Sequence, residues 1–161
     1  MPLDGQQLRQ VMRRWATGVT VVTTRSPNGL HGITVNSFTS LSLDPPLCLV
    51  CIGHDARAHR EIPLAGGYTV NILAQGQEAI SDRFAGRVQL ADPFAGLELA
   101  EAPSGRPVFA GVLGYLDCTL HAELPGGDHT IYVGRVEHAQ AQGDGVPLLF
   151  VGGRYGAPAT P

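Results

Sequence analysis

This sequence predicts a mainly β fold, in which a mostly antiparallel sheet closes into a barrel with helices at its flanks. Glycine and proline account for 21 and 12 of the 161 residues and charged residues for only 16%, which favours strands and turns. Six or seven strand-like segments alternate with few helical ones, whereas parallel sheets need helical crossovers. We expect one domain over 1–161, with a helix at about 4–16, a barrel at about 18–152 and a short tail.

The N-terminal segment predicts an amphipathic helix. Asp4 is a favourable N-cap, and Gly18 lies just past the end of the pattern, where a C-terminal cap is favoured. Four apolar residues recur at helical spacing: Leu8, Val11, Met12 and Trp15. We expect this apolar stripe to contact the core.

Strand patterns follow the helix. A β-prone run over 18–24 and a second over 30–35 flank a Pro-Asn-Gly turn, which predicts a hairpin. The pattern then predicts strands over 46–52 and 68–73, one helical turn over 57–62 and a short helix over 77–84.

The second half begins with an irregular connection over 85–107, which we expect to cover a site or a subunit contact. Apolar and polar residues then alternate over 116–124, predicting a strand buried on one face. A PGGD turn leads to a partner strand over 130–139, and a last strand is predicted over 148–151.

Charge and composition exclude several classes of function. The net charge of -3 gives no long-range attraction for nucleic acid or an anionic membrane. We see no apolar segment long enough to span a bilayer, and the N-terminus is too polar for a signal peptide, so we expect a soluble, cytoplasmic protein. All 11 basic residues are Arg, which excludes a Schiff-base lysine and leaves guanidinium as the only permanent cation for a phosphate.

The cysteines and histidines do not predict a metal or disulfide site. Cys48 and Cys51 form a C-x-x-C, but residues three apart on a strand point to opposite faces. His54, Asp55 and His59 are possible metal ligands by type only, and we expect no metal. The fingerprints of Rossmann, P-loop, zincin and nucleophile-elbow sites are also absent from the sequence.

The segment 32–47, GITVNSFTSLSLDPPL, is the most informative part of the chain. Ser37, Thr39 and Ser42 supply short donors and acceptors, and Phe38 supplies an apolar neighbour. This mix suits a heteroaromatic ligand with a phosphate tail. A serine-rich loop between strands has a similar composition, so the residues alone leave both interpretations open.

Five motifs taken in order, GVTVVTT, GITVNSFTSLSLDPPL, YTVNIL, SDRFAG and GGDHTIYVG, resemble the flavin reductase family over nearly the whole chain. The resemblance implies an FMN-binding split β-barrel, mostly antiparallel and Greek-key-like. It implies an NAD(P)H:flavin oxidoreductase that reduces FMN or FAD with NADH or NADPH and supplies a partner monooxygenase. It also implies a homodimer with each site near the subunit interface. A non-catalytic flavin-binding barrel and a structural or partner-binding barrel are the alternatives.

The same resemblance implies where the flavin lies. The residues expected along its ring and ribityl chain are consecutive: Thr34, Val35, Asn36, Ser37 and Phe38. Ser40 and Ser42 would follow toward the phosphate end. Main-chain amides of such a segment can orient the ring without a charged side chain.

The resemblance also assigns the phosphate and the nicotinamide. Arg57 and Arg83 would approach the phosphate, and their neighbours Ala58 and Phe84 would share that part of the site. The family often has hydroxyl residues on both sides of Arg57, whereas alanines stand there here, which leaves FMN against FAD open.

His129 matches the family's GDH motif, so it is expected to bind and orient the nicotinamide. Tyr155 would approach the flavin, or instead be an aromatic residue of the tail packed on the barrel. No general base is required, because hydride transfer depends mainly on placing the two rings.

Overall fold

A computed structural model of the chain describes residues 3–159. Its helices are α1 (Gly5–Met12), α2 (Arg57–Ala65) and α3 (Glu78–Phe84). The first six strands are β1 (Thr17–Gly18), β2 (Thr20–Ser26), β3 (Gly29–Val35), β4 (Thr39–Leu43), β5 (Pro46–Gly53) and β6 (Gly67–Ile72). The remaining strands are β7 (Leu99–Glu101), β8 (Pro107–Phe109), β9 (Gly114–Gly126), β10 (His129–Ala141), β11 (Leu149–Val151) and β12 (Arg154–Gly156).

A seven-stranded antiparallel sheet in the order β3-β2-β6-β9-β10-β5-β4 forms the centre of the fold. The edge strands β3 and β4 are consecutive in the chain but do not pair within the described part, so the barrel is split there. The predicted mainly β, antiparallel fold is thus confirmed. Residues 36–38 connect the two edges and therefore lie at the opening.

Two hydrophobic clusters stabilise the sheet, one on each face. The inner cluster includes Val22, Val50, Tyr68, Cys118 and Tyr132, contributed by five different strands. Side chains from so many strands can meet only if the sheet curves around them. The outer cluster lies under α3 and the segment 85–112 and contains the aromatic side chains Phe84, Phe94 and Phe109.

The N-terminal helix differs from the prediction in length and burial. Asp4 caps it as expected, with a capping box to Gln7, but α1 ends at Met12 rather than near residue 16. No residue of α1 is buried, and Val11 and Trp15 of the apolar stripe are each 68% exposed. The prediction that this stripe contacts the core is therefore wrong for the single chain. Helical spacing shows which residues share a face of the helix, but not what packs against that face.

Other elements were longer or less regular than their patterns. The predicted helical turn at 57–62 is the nine-residue helix α2, which ends at Gly66 in the left-handed conformation. The connection 85–107 contains β7, which pairs with β8. Four short strands, β4, β7, β8 and β12, were not predicted, although each pairs with a strand close to it in the chain.

The alternation predicted for 116–124 fails at one buried acidic residue. Asp117 is 2% exposed because Arg106 Nη1 lies 3.1 Å from its Oδ1 and donates to it. Thr69 and Ser104 also donate hydrogen bonds to this carboxylate. Burial alone would raise the pKa of Asp117, but the Ser104 and Thr69 hydrogen bonds and the Arg106 charge together lower it.

Cys48 and Cys51 do not share a face of β5, as their spacing predicts. Cys48 is buried and its Sγ lies 3.6 Å from Cys118 Sγ, whereas Cys51 is half-buried. Within residues 3–159, no helix has the length and apolar character needed to cross a bilayer.

Candidate functional site

The opening of the barrel is built by residues 36–38, and Ser37 fixes this connection to β5. The Ser37 hydroxyl donates to the Cys51 carbonyl at 2.9 Å and accepts from the Cys51 amide at 3.1 Å. The side chain thereby replaces a missing strand partner where the sheet is split. Ser37 was predicted as a flavin contact, and the structure also gives it this anchoring role.

A cavity of about 830 Å³ opens beside this connection. Its wall includes Met12, Trp15, Asn36, Ser37, Phe38 and Cys51. Among the described residues that line it, none carries a charged side chain. A wall of aromatic, aliphatic, hydroxyl and amide groups suits a neutral heteroaromatic ring better than a phosphate.

One buried polar atom of a lining residue is left without a partner. Thr17 lines the cavity, and within residues 3–159 no group forms a hydrogen bond with its buried Oγ1. Buried polar atoms usually have a partner, and those that do not call for an explanation. Since Oγ1 is not exposed to the cavity, a ligand there would not reach it, and the fit to a flavin ring rests on the aromatic, aliphatic, hydroxyl and amide groups of the wall.

Asn36 is the point where three cavities meet. It lines the large cavity, one of about 320 Å³ next to Trp15 and Phe150, and one of about 170 Å³ next to Thr34 and Tyr155. Its exposed amide can both donate and accept. Thr34 and Asn36 both line the small cavity, and the Thr34 hydroxyl donates to Ser81 O at 2.7 Å, so their flavin contacts stay predictions.

The other residues of the predicted flavin segment have mixed environments. Val35 is 8% exposed and belongs to the inner core, whereas Phe38 is half-buried and faces the large cavity. Ser40 and Ser42 lie on β4, opposite Cys48 and Leu47 of β5. Neither serine lines the cavities around Asn36 within the described chain, and their flavin contacts stay predictions.

Arg57 is exposed at the start of α2, and its nearest charged neighbour is on the same helix. Its Nε lies 4.0 Å from Glu61 Oε1, one turn later. The Ser26 hydroxyl donates to Glu61 at 2.7 Å and helps lower the pKa of this carboxyl, which stays charged. Ala58 is buried under the helix. The phosphate contact of Arg57 stays a prediction.

Arg83 and Phe84, both on α3, face away from the cleft. Arg83 Nη1 donates to Ala95 O at 2.9 Å, which fastens the following loop. Phe84 is 5% exposed and packs edge-on against Phe94. Gly32 lies directly under this ring, since a Cβ there would be 2.6 Å from it. Their roles toward a flavin also stay predictions.

His129 opens β10 and pairs with Gly53 of β5, two residues along from Cys51. That offset is about 7 Å along a strand, so the ring lies close to the large cavity without lining it. Its Nδ1 is 2.7 Å from Asp128 Oδ1. An ionised carboxylate only accepts, so Nδ1 carries the proton. The hydrogen bond from His129 lowers the pKa of Asp128.

Trp15, Met12 and Arg87 are among the residues of the cleft that the sequence analysis missed. Trp15 and Met12 were assigned to the core because their spacing is helical, yet both line the large cavity. Arg87 follows the SDRFAG motif and lines the small cavity together with Tyr155. The SDRFAG motif itself could have suggested Arg87, since a second arginine stands four residues after the first. Within residues 3–159, no cluster of three His, Cys, Asp or Glu side chains could hold a metal ion.

Comparison with known proteins agrees with this geometry. A family model for the flavin reductase like domain matches residues 12–159. The chain belongs to the flavin reductase family. The match covers the split barrel and the connection 36–38, and it includes the C-terminal strands β11 and β12.

Relatives of this flavin reductase family member have described activities. An NADH-dependent FAD reductase of Streptomyces globisporus is 40% identical over 157 residues, which cover 96% of this chain and 86% of that protein. The reductase component of 4-hydroxyphenylacetate 3-monooxygenase from Thermus thermophilus is 41% identical over 145 residues, which cover 90% of this chain and 91% of that protein.

A solved structure shows the same fold with ligands. The NADH:FAD oxidoreductase of Streptomyces globisporus, in complex with NAD and FAD fragments, matches this chain with a TM-score of 0.91 at 39% identity. The match covers 99% of this chain and 95% of that chain. The flavin reductase fold expected from the sequence is confirmed by this likeness.

Proposed function

We propose that this protein is an NAD(P)H:flavin oxidoreductase that uses NADH to reduce FAD or FMN. The observation that supports this most directly is the uncharged cavity of about 830 Å³ beside the anchored connection 36–38, whose wall combines aromatic, aliphatic, hydroxyl and amide groups. Relatives named as NADH-dependent FAD and flavin reductases favour NADH as the hydride donor.

The chain's own contribution to this reaction is placement. When bound, the flavin supplies the redox chemistry, accepting a hydride from the nicotinamide, which leaves as NAD+. Main-chain groups of 36–38 orient the ring, and Phe38 with Trp15 excludes water from its apolar part. His129, two residues along the ladder from the cavity wall, binds the nicotinamide through its ring.

The proposed activity is tested by mixing the purified protein with FAD or FMN and each nicotinamide, and following absorbance at the nicotinamide band. We expect oxidation that requires both the protein and a flavin, and that is faster with NADH than with NADPH. The proposed function would be overturned if the protein oxidised neither NADH nor NADPH. Flavin binding without turnover would favour the non-catalytic barrel.

We also propose that the reduced flavin passes to a separate monooxygenase component. The support is the relative from Thermus thermophilus, which is named as the reductase component of such an enzyme. An open cleft is suited to release of reduced flavin. We place the protein in the cytoplasm, where a reducing environment supports free thiols such as those of Cys48 and Cys118.

A homodimer is the proposed assembly, and α1 is its proposed interface. Four apolar side chains, in this helix or shortly after its end, are more than half exposed: Leu8, Val11, Met12 and Trp15. Apolar patches of this kind mark interaction surfaces. Met12 and Trp15 also line the large cavity, so a partner copy seated on α1 would border the flavin site.

The assembly is tested by sedimentation of the wild type and of Val11→Glu. We expect a dimer for the wild type and a monomer for the variant, because a charge at the centre of an apolar interface costs several kcal/mol. Gln10→Glu, which adds the same charge at the neighbouring position, should stay dimeric. A wild-type monomer at all concentrations would contradict this assembly.

A further inference from the structure

A buried carboxylate and a buried imidazole face each other where α2 packs against the hairpin of β2 and β3. Glu61 of α2 is 5% exposed, and His31 of β3 is 6% exposed. The Glu61 Oε2 and His31 Nε2 atoms lie 3.5 Å apart. In the part of the chain that the structure describes, neither residue lines a cavity that meets Asn36. The proposed reaction therefore does not use this pair.

The Glu61 carboxylate fastens α2 to the hairpin. The Ser26 hydroxyl donates to its Oε2 at 2.7 Å, and the Asn28 side-chain amide donates to the same atom at 3.1 Å. Arg57 Nε, one turn earlier on α2, lies 4.0 Å from the other carboxylate oxygen. The Ser26 and Asn28 hydrogen bonds, and to a smaller extent the Arg57 charge, lower the pKa of Glu61. The carboxyl group is therefore ionised at neutral pH.

The His31 imidazole lacks a comparable partner. Within residues 3–159, no group forms a hydrogen bond with its buried Nε2. The distance of 3.5 Å to Glu61 exceeds the usual N–H···O distance of about 2.7–3.2 Å, and the facing oxygen already accepts from Ser26 and Asn28. A protonated imidazole has two N–H donors, and each needs an acceptor. The closed packing therefore suits a neutral His31.

The charges around His31 act in the same direction as this geometry. Burial lowers the pKa of His31; the Glu61 charge opposes this effect, and the Arg57 charge adds to it. Among the described residues, the other elements packed against β3, namely β2, β5 and α3, add no charged group that acts on His31. An imidazole in water has a pKa of about 6.5. Neutral His31 therefore stabilises the closed packing above that pH, and this contribution is lost as the pH falls from there through the lowered value.

Helix α2 also contacts the strand that begins at His129. The helix packs against β2 and β3 on one side of the split in the barrel and against β5 on the other. His59 Nε2 lies 2.9 Å from Thr130 Oγ1, and the Tyr132 hydroxyl donates to the His59 carbonyl at 2.7 Å. Thr130 and Tyr132 are both near the start of β10. Release of α2 from the hairpin therefore disturbs two contacts next to His129.

We propose that His31 and Glu61 form an acid-sensitive latch, which holds α2 on the β2–β3 hairpin at neutral pH and releases it in acid. Protonation of His31 places a buried positive charge where no hydrogen-bond acceptor is free, whereas water solvates the imidazolium once α2 has moved away. The latch itself does not depend on which ligands the protein binds. Its effect on NADH, through the contacts of α2 with β10, rests on the proposed function.

Hydrogen exchange followed by mass spectrometry tests the latch without flavin or nicotinamide. Protection of the α2 amides is compared at about pH 7.5 and 5.5, after correction for the intrinsic pH dependence of exchange. One pH unit below its ordinary pKa, a free imidazole is protonated about ten times more often than neutral. Opening of α2 should therefore become more frequent by up to about tenfold, whereas protection of β9 should change little.

Two variants show whether the effect belongs to His31. His31→Gln keeps a polar side chain that takes up no proton, so protection of α2 should no longer depend on pH in this range. His59→Gln removes the imidazole that α2 itself contributes, and this matched control should keep the pH dependence of the wild type. With flavin present, the KM for NADH should rise on the same acidification more steeply in the wild type than in His31→Gln.

Equal protection of α2 at both pH values in the wild type would overturn the inference. Loss of the pH dependence in His59→Gln but not in His31→Gln would overturn it as well. If His31→Gln does not fold, the exchange pattern of the wild type decides. Acid release of α2 in a protein that oxidises neither NADH nor NADPH would support the latch and overturn the proposed function.

Discussion

Ser37 and Cys51 are joined by two hydrogen bonds, because one hydroxyl group donates to the Cys51 carbonyl and accepts from the Cys51 amide. The two residues lie on opposite sides of the opening in the barrel. This pair fixes the connection between the sheet edges at the place where the large cavity begins. The shape of the proposed flavin site therefore depends on a single side chain.

Replacing Ser37 by Ala should destabilise the fold and weaken flavin binding together. The change leaves the amide and carbonyl of Cys51 without their partner, which costs about 1–3 kcal/mol of unfolding free energy. Urea unfolding and flavin titration would measure the two effects. Ser40→Ala, on the exposed part of β4, should change the unfolding free energy by no more than about 0.5 kcal/mol. Equal stability of both variants would contradict the anchoring role.

Gly134 should not tolerate a side chain. A Cβ at this position of β10 would lie 2.6 Å from Tyr68 Oη and 2.8 Å from Cys118 Cβ, inside the barrel. Overpacking of this kind costs about 1–3 kcal/mol, so Gly134→Ala should lower the melting temperature by several degrees. Gly156→Ala, where nothing lies within 4 Å of the added carbon, is the matched control. A Gly134→Ala variant as stable as this control would show that the core can rearrange.

The buried pair of Asp117 and Arg106 should make stability depend on acid pH. The folded-state pKa of Asp117 is lowered, so the unfolded chain binds this proton more readily. The stabilisation is therefore present above the ordinary Asp pKa of about 3.9, and it is lost as the pH falls from there through the lowered value.

Asp117→Asn isolates this contribution. At pH 7 it leaves the charge of Arg106 buried without a counterion, which should cost about 3 kcal/mol. The difference between variant and wild type should shrink as the pH falls from 6 to 3, as measured by urea unfolding at each pH. A difference that does not change with pH would mean that Asp117 is not the titrating group.

Replacing His129 by Ala should weaken the use of NADH more than the binding of flavin. The imidazole lies beside Gly53, with Nδ1 held by Asp128, so Nε2 is the atom left to contact the nicotinamide. We expect the KM for NADH to rise by about tenfold, the loss of one good hydrogen bond, with flavin affinity little changed. His121→Ala, an exposed position on β9, is the control. A parallel loss of affinity for both ligands would contradict this division of the site.

Sequence patterns correctly predicted the elements that depend only on residues close together in the chain. The hairpin of β2 and β3 was predicted from the Pro-Asn-Gly turn between two β-prone runs, and the structure contains it. The strands β9 and β10 follow in the same way from the PGGD turn. The capping role of Asp4 needed only its side chain and the helix that follows.

Prediction from the sequence failed for residues whose environment is formed by distant parts of the chain. Trp15 looked like a core residue, because helical spacing does not show whether another part of the chain packs against it, and among residues 3–159 its side chain is 68% exposed. Asp117 looked like a surface residue, because its partner Arg106 belongs to the irregular connection. Arg87 was overlooked, since only the folded chain shows that it lines the small cavity with Thr34 and Asn36.

The position of the flavin ring is the central claim, and a crystal structure of the protein with FMN tests it most directly. We predict the ring in the cavity beside 36–38, within hydrogen-bonding distance of main-chain groups of that connection and in contact with Phe38. A ring bound elsewhere on the barrel, or no bound FMN at saturating concentration, would contradict the account.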